Sequence, residues 1–357
     1  GMDYYTHSLA KGFQNNNQAV FIYSNFSKKN TDFITYKKTF NRKKISKIIQ
    51  GFSFLKSIIH SNLDARINKV DYAIINIFSS ELLTLFLAIL TKINFKKLIV
   101  IAHDLESFKG NDIRIIQKII YNNLADSIVV HNKFCKTKLS EKIDNSNKIN
   151  IIKQGGYISY FGNMPTIDNA HMYLNLDDSK KYILFFGQIK KEKGLDVLLN
   201  ALSNVHDNIY LIIAGKNTDS NFAYYNHLIK ENNIESRVII KNYFISNDEM
   251  KHLFSASSAI ILPYKKIYQS AVILMSMSLN LPVIASDLKP IKEVIINNFD
   301  GITFSSENTH ELAKKINTTL FDKKLLQKIS KNALMKIEKD FNWNSVANHY
   351  VKLINKL

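Results

Sequence analysis

The chain has 357 residues, 46% of them apolar, with only 4 Pro and 11 Gly, so it can bury two substantial cores and is neither disordered nor collagen-like. Its single cysteine, Cys135, excludes an internal disulfide framework and a cysteine-rich zinc site, and suits a reducing cytoplasm. A formal net charge of +18 asks for an anionic partner, although the abundance of Lys, Asn and Ile reads as a coding bias that dilutes the meaning of any one lysine.

In chain order, DYYTHSLAKGF reads as an opening helix, which would set Tyr4, Tyr5 and His7 near a ligand cleft, although such aromatics are usually packing residues. Strands are predicted at residues 19–23, 72–78, 98–102, 127–130 and 149–152, with helices between them, the alternation of an α/β domain. ELLTLFLAILTKI, from Glu81, is apolar nearly all round, which suits a helix buried under a sheet; it is too short and too flanked by charge to span a bilayer. A basic run over residues 28–56 includes Lys37, Lys38, Arg42, Lys43, Lys44 and Lys47, interleaved with Phe33, Tyr36, Phe40, Phe52 and Phe54. Such text suits an anionic membrane surface or simply a solvated face; no helix-turn-helix, finger spacing or RNA-binding signature accompanies it, so nucleic acid is not expected. The strand at residues 98–102 ends in His103 and Asp104, which by themselves read as a hydrogen-bonded structural histidine and a turn cap. Residues 163–180 are polar, contain a proline and lack periodicity, so the domains are expected at 1–165 and 181–340, joined by a linker over 166–180.

The second half is more telling. KYILFFGQIKKEKGL carries a wholly apolar strand at residues 182–186, then Gly187, then Lys190, Lys191 and Lys193 just past the strand's carboxyl end, where open α/β sheets bind ligands. Gly194 opens a helix striped by Leu195, Leu198, Leu199 and Leu202. LIIAG at residues 211–215 and VIIKNYF at 238–244 supply further strands, and another spans 260–262. After a loop, Ser270 caps a helix over residues 271–279, Asn280 stops it in a left-handed turn, and a strand follows at 283–285. The amides of Ser270, Ala271 and Val272 would face the same sheet edge as Lys193, and a helix N-terminus favours anions. The plainer reading is a lysine-rich solvated loop. FNWNSVANHYVKLI, from Phe341, closes the chain as a helix anchored by Trp343.

Together the two segments resemble the nucleotide-binding half of the family 4, group 1 type glycosyltransferases. Gly187, Glu192, Lys193 and Gly194 match the family's first motif, with Gln188 where an arginine is expected; Pro282 to Asp287 match the end of its second. Ile267 and Met275 fill the places of the paired glutamates, so the chain looks like a divergent member. Gln269, Ser270, Ala271 and Val272 look like an acid-poor version of that loop, Glu293 in IKEVI matches a further position, and Gln154 replaces the histidine of a His-Gly strand end. The resemblance implies the GT-B fold, two Rossmann-like, doubly wound α/β domains facing a cleft, with residues 341–357 crossing back to the first domain. It implies a nucleoside-diphosphate sugar as donor, a glycan or polyprenyl-linked acceptor in surface polysaccharide synthesis, retention of anomeric configuration, no cofactor or metal, and a cytoplasmic enzyme peripheral to the membrane. Carried over residue by residue, it makes His103 and Lys193 catalytic. The donor set becomes Gly187, Gln188, Lys193, Gly215, Tyr243, Phe244, Gln269, Ser270, Ala271, Val272 and Glu293; core packing is the alternative for Tyr243 and Phe244. Relatives begin with a strand and a glycine-bearing loop ahead of the first helix, and here that strand is expected to be missing. Two other readings stay open: a non-catalytic GT-B partner subunit, favoured by the missing acids, and a nucleotide-sugar epimerase, disfavoured by them.

Overall fold

A computed structural model describes residues 2–40, 47–105, 113–218 and 222–357. The chain divides into two compact units, Gly1–Gly155 with Phe341–Leu357, and Gly156–Asp340.

The N-terminal unit runs α1 (Met2–Gln14), β1 (Val20–Ser24), β2 (Ile34–Lys38), α2 (Lys47–Ile67), β3 (Tyr72–Ile77), α3 (Leu82–Asn94), β4 (Lys97–Ala102), α4 (Arg114–Lys118), β5 (Ser127–Val130), α5 (Lys133–Ser140) and β6 (Ile149–Ile151). A closing helix, Trp343–Ile354, completes it. Among the described residues its strands form two separate parallel sheets, β1-β2 and β3-β4-β5-β6. β4 reads KLIVIA and is buried at every position but the first, as a central strand covered on both faces must be. On one of those faces Ile99 and Ile101 pack with Tyr5, Leu9 and Phe13 of α1 and with Tyr350 of the closing helix. The Tyr5 and Tyr350 hydroxyls lie 3.2 Å apart inside this cluster. Tyr4 and Tyr5 are therefore packing residues, as is Trp343, whose ring meets Tyr5 edge-on at 5.2 Å.

Two expectations are corrected here. α3 is not buried all round: the sheet and α2 take one stripe and leave Leu82 and Ile93 more than two-thirds exposed. Part of the basic run is absorbed into the fold, since Lys37 pairs with Asp64 at 3.1 Å and buried Tyr36 hydrogen-bonds to His7. Phe40 and Phe54 pack on each other at 5.2 Å, while Phe33 and Phe52 remain exposed. Arg42, Lys43 and Lys44 lie outside the described residues.

The C-terminal unit runs α6 (Ile167–Leu174), β7 (Lys181–Phe186), α7 (Leu195–Leu202), β8 (Ile209–Ala214), α8 (Ala223–Glu231), β9 (Val238–Lys241), α9 (Asn247–Ala256), β10 (Ala259–Leu262), α10 (Ala271–Ser278), β11 (Val283–Ser286), α11 (Lys289–Lys292), β12 (Ile302–Phe304), α12 (Thr309–Phe321) and α13 (Lys323–Asp340). Its sheet is parallel throughout, in the order β12-β11-β10-β7-β8-β9. This is the doubly wound order: the chain winds outward from β7 through β8 to β9, then returns to β10 on the other flank and winds out to β12. The direction of winding reverses between β7 and β10, and the crevice at the carboxyl ends of those two strands is where such sheets hold ligands.

The stretch read as a linker, residues 166–180, belongs to this unit and contains a helix. Thr166 caps α6 by accepting from the Asn169 amide, Asn175 ends it at φ 54°, and Ala170 and His171 are buried as it packs on α9. The boundary falls at Gly155 and Gly156, earlier than expected.

Candidate functional site

The loop after β7 is shaped by backbone pairing rather than by side chains. The Gly187 amide donates to Ala214 O at 3.0 Å and the Ile189 amide to Lys216 O at 3.1 Å, so the ladder with β8 continues past the strand's end. Ile189 is fully buried and pins the loop, leaving Gln188 exposed beside it. Gly215 crosses behind: a Cβ there would lie 1.8 Å from Gly187 O, so only glycine fits at its φ of +148°. One 3-10 turn, Lys191–Lys193, then delivers the chain to Gly194.

Gly194 joins this loop to the one after β10. It sits at φ +67°, and a Cβ would fall 1.9 Å from Pro263 O. The two loops are also laced by the Lys265 amide, which donates to Glu192 O at 2.9 Å. The Lys265 ammonium reaches Asp196 at 2.5 Å and Glu307 at 3.7 Å. Burial works against that charge, but the hydrogen bond and charge of Asp196 prevail and its pKa is raised. Lys265 is thus committed to carboxylates. Lys193 is not: among the described residues no carboxylate pairs with it, and its ammonium lies 3.9 Å from the centre of the Tyr264 ring.

Tyr264 is the residue the sequence reading missed, and it links the two halves of the site. Its side chain is buried, and its carbonyl accepts from the Ser286 hydroxyl at 2.7 Å and the Ser306 hydroxyl at 3.2 Å. Its own hydroxyl lies 3.4 Å from Ser270 Oγ. Ser270 is the N-cap of α10, accepting from the Ile273 amide. The amides that begin α10 at Ala271 and Val272 have no partner within the helix, as in any first turn. A Cβ on Gly187 would touch Val272 Cγ2 at 3.9 Å, which brings the first loop against that turn. Gly187, Gly215, Lys193 and the Ser270 to Val272 turn are therefore one constellation at the switch point, a cation over an aromatic ring beside a helix N-terminus. The signal for Tyr264 was its place two residues past the end of β10.

The other residues lie apart from it. Tyr243 and Phe244 follow β9, two strands away from β7. Core packing is overturned for both: Tyr243 is 46% exposed and Phe244 84% exposed. The Tyr243 hydroxyl donates to Glu249 at 2.7 Å, which raises its pKa, and Lys241 holds the same carboxylate at 3.0 Å. Glu293 is exposed at the end of α11. Gln269 is half-buried just ahead of the Ser270 cap. Ile267 and Met275 are buried, so the two places of the paired glutamates carry apolar side chains facing inward.

His103 belongs to the N-terminal unit, where it ends β4 and is 3% exposed. Its Nε2 is 2.8 Å from Asn76 Oδ1, its ring stacks on Phe78 at 4.7 Å, and His131 lies 5.2 Å away. Burial, with the His131 ring beside it, holds its pKa well below the ordinary value, so the imidazole is neutral near pH 7.

Comparison with known proteins agrees with this geometry. Residues 167–335 match the family described as glycosyl transferases group 1. An uncharacterized glycosyltransferase of Methanocaldococcus jannaschii is 24% identical over 189 residues, 52% of this chain and 47% of that one. The chain spans about half the length of the curated relatives it first matches. Among solved structures, sucrose-phosphate synthase from Thermosynechococcus elongatus has a TM-score of 0.80 at 18% identity, covering 100% of this chain and 93% of that one. Anabaena HepE, in complex with UDP-glucose, has a TM-score of 0.72 at 18% identity, covering 85% and 82%. The match to the group 1 glycosyl transferases thus lies on the unit that holds the switch-point constellation, and the chain as a whole has the GT-B fold of these solved structures.

Proposed function

We propose that the switch-point constellation binds the diphosphate of a nucleoside-diphosphate sugar and that the protein transfers the sugar, with retention, to a glycan or lipid-linked acceptor. The observation that carries this reading is the Lys193 ammonium 3.9 Å over the Tyr264 ring, whose hydroxyl reaches the N-cap of α10. The chemistry is electrostatic. Breaking the anomeric bond leaves negative charge on the departing diphosphate, and an ammonium with fixed backbone amides stabilises that charge more than it stabilises the bound donor. In this reading Lys193 and the amides of Gly187, Ala271 and Val272 carry the charge without a divalent cation. Exposed Tyr243 and Phe244 stand beyond β9 as contacts for the base, and His103 acts on the side of the sugar and acceptor. HepE was solved with UDP-glucose, which makes UDP-sugars the first donors to try.

An acceptor carried on an anionic membrane, in surface polysaccharide synthesis on the cytoplasmic face, fits the exposed Phe52 and the cations of residues 28–56. Among the described residues no helix is long and apolar enough to cross a membrane. Association would therefore be peripheral, and co-sedimentation with anionic but not neutral vesicles is its test.

The donor reading is tested by thermal shift against UDP-, GDP- and dTDP-sugars. The cognate donor raises the transition temperature by an amount set by its concentration over its affinity, and Lys193→Ala weakens it about 10- to 100-fold, the loss of one charge-assisted contact. Flat traces across the panel would instead favour a non-catalytic GT-B subunit, the reading the buried Ile267 and Met275 support.

A further inference from the structure

α3 carries an outer face that none of the described residues covers. Its inner side buries Ala88 and Thr91. On the opposite side Leu82, Ile89 and Ile93 are exposed, and half-buried Phe86 falls on the same line. α2, packed beside it, repeats the pattern: Ile58, Asn62 and Ala65 are buried, while Ile59, Leu63 and Ile67, each one turn after the last, are exposed. Both helices lead by short turns into neighbouring parallel strands, β3 and β4, so their last turns, with Ile67 and Ile93, lie at the same end of the sheet. The inner side of the two helices lines a cavity of about 670 Å³ through Ala65 and Leu87, and the outer side is a separate surface.

The six exposed side chains present on the order of 600 Å² of apolar surface, the top of the range for the largest patch on a monomer. Charge narrows the partner. α3 has one charged side chain, Lys92, and Asp126 holds it at 2.7 Å. A helix that lies on an anionic membrane needs cations along its polar edge, and α3 offers none. Lys56 and Arg66 of α2 are exposed on the flank, outside this line. The surface that matches α3 is therefore apolar and uncharged, and the spacing of its residues makes α3 its own complement. Residues 82, 86, 89 and 93 step by four, three and four, the d-a-d-a order of a coiled-coil seam. Two copies run antiparallel set Leu82 of one against Ile93 of the other, and Phe86 against Ile89, so each knob meets a hole.

We propose that α3 is the centre of a two-fold interface between two copies of this chain, flanked on each side by Ile59, Leu63 and Ile67 of α2. A two-fold contact counts the patch twice, about 1,200 Å², which passes the roughly 1,000 Å² a specific interface needs. The axis passes between Leu87 and Ala88, the middle of the helix. Leu82 of one copy then touches Ile93 of the other, while the two Leu82 side chains stay about 16 Å apart along the helices. The switch-point constellation belongs to the other unit, so the contact and the donor site can be perturbed separately.

The test is sedimentation equilibrium of the chain from about 1 to about 100 μM, over which a dimer forms. Ile93→Glu and Leu82→Lys each weaken it at least about 100-fold, since each sets a charge in the apolar seam. A one-to-one mixture of the two variants recovers a heterodimer, because the opposite charges face each other across it. Both positions are exposed in the single chain, so the thermal transition of each variant at low concentration matches the parent and shows that it is folded. Leu82→Cys combined with Ile93→Cys cross-links two copies on oxidation, and Leu82→Cys alone does not; Cys135 is buried and takes no part. A monomer at the highest concentration, a dimer indifferent to both charges, or cross-linking by Leu82→Cys alone overturns the proposal. Binding of a monomeric parent chain to anionic vesicles, abolished by Ile93→Glu, would give the face to lipid and overturn it as well.

Discussion

The two units are built from the same alternation of strand and helix, yet their sheets differ in where they stop. In the C-terminal unit all the strands share one sheet, and the opening left is at the carboxyl ends of β7 and β10, where the order of winding demands it. In the N-terminal unit, among the described residues, β1 and β3 belong to separate sheets, and the opening runs along strand edges. An opening at strand ends exposes loops and helix N-termini, which suit a charged small molecule. An opening between edges is walled by strand backbone.

The contrast is broken most sharply by paired truncations. Leu198→Ala, in the fully packed core of the C-terminal unit, should cost about 3–5 kcal/mol in denaturant unfolding, because the hole it leaves cannot collapse. Leu9→Ala already borders empty space and should cost about 2 kcal/mol or less. Equal losses would mean that the cavity wall is as tightly packed as the core. Next comes Gly194→Val, which forces a branched side chain into a left-handed turn and against Pro263 O; it should cost about 3 kcal/mol and abolish donor stabilisation. Normal donor binding in this variant would separate the two loops from the site.

Acid should distinguish the units by a similar amount. His131 is buried with Nδ1 donating to Ile152 O at 2.8 Å, and burial lowers its pKa from 6.5 to about 4. It stays neutral in the fold while the unfolded chain takes up the proton. Stability that is complete above about pH 6.5 is therefore lost as pH falls toward 4, on the order of 3 kcal/mol. His103, lowered by burial and by His131, acts in the same direction. Exchange protection in β4 and β5 should fall over that window before protection in β7 and β8, and His131→Phe should flatten the loss. The smallest effect is Ser270→Ala, which removes the α10 cap and should cost about 1 kcal/mol while weakening donor binding only modestly.

The C-terminal unit was legible because its signals are local. Apolar runs bounded by glycine mark β7 and β8, Ser270 and Asn280 bracket α10, and Asn280 takes the left-handed conformation expected of it at φ 57°. What escaped was set by tertiary contacts. α6 lies in a polar stretch whose only marks are the Thr166 cap and left-handed Asn175, and its burial comes from α9 rather than from its own pattern. β2 reads ITYKK, too charged for a core strand, and is held by pairing with β1. Tyr264 followed a recognised strand, but that a lysine from β7's loop would sit over its ring depends on β7 and β10 being neighbours, which no local pattern states.

The closing helix has a consequence for how the protein is made. Trp343–Ile354 packs with α1, so the N-terminal unit is completed by residues synthesised only after the whole C-terminal unit. The C-terminal unit can finish folding from a contiguous stretch, while the N-terminal unit waits with Tyr5, Leu9 and Phe13 uncovered. During that interval the nascent chain carries an apolar helix face and two bare strand edges, the surfaces that chaperones capture.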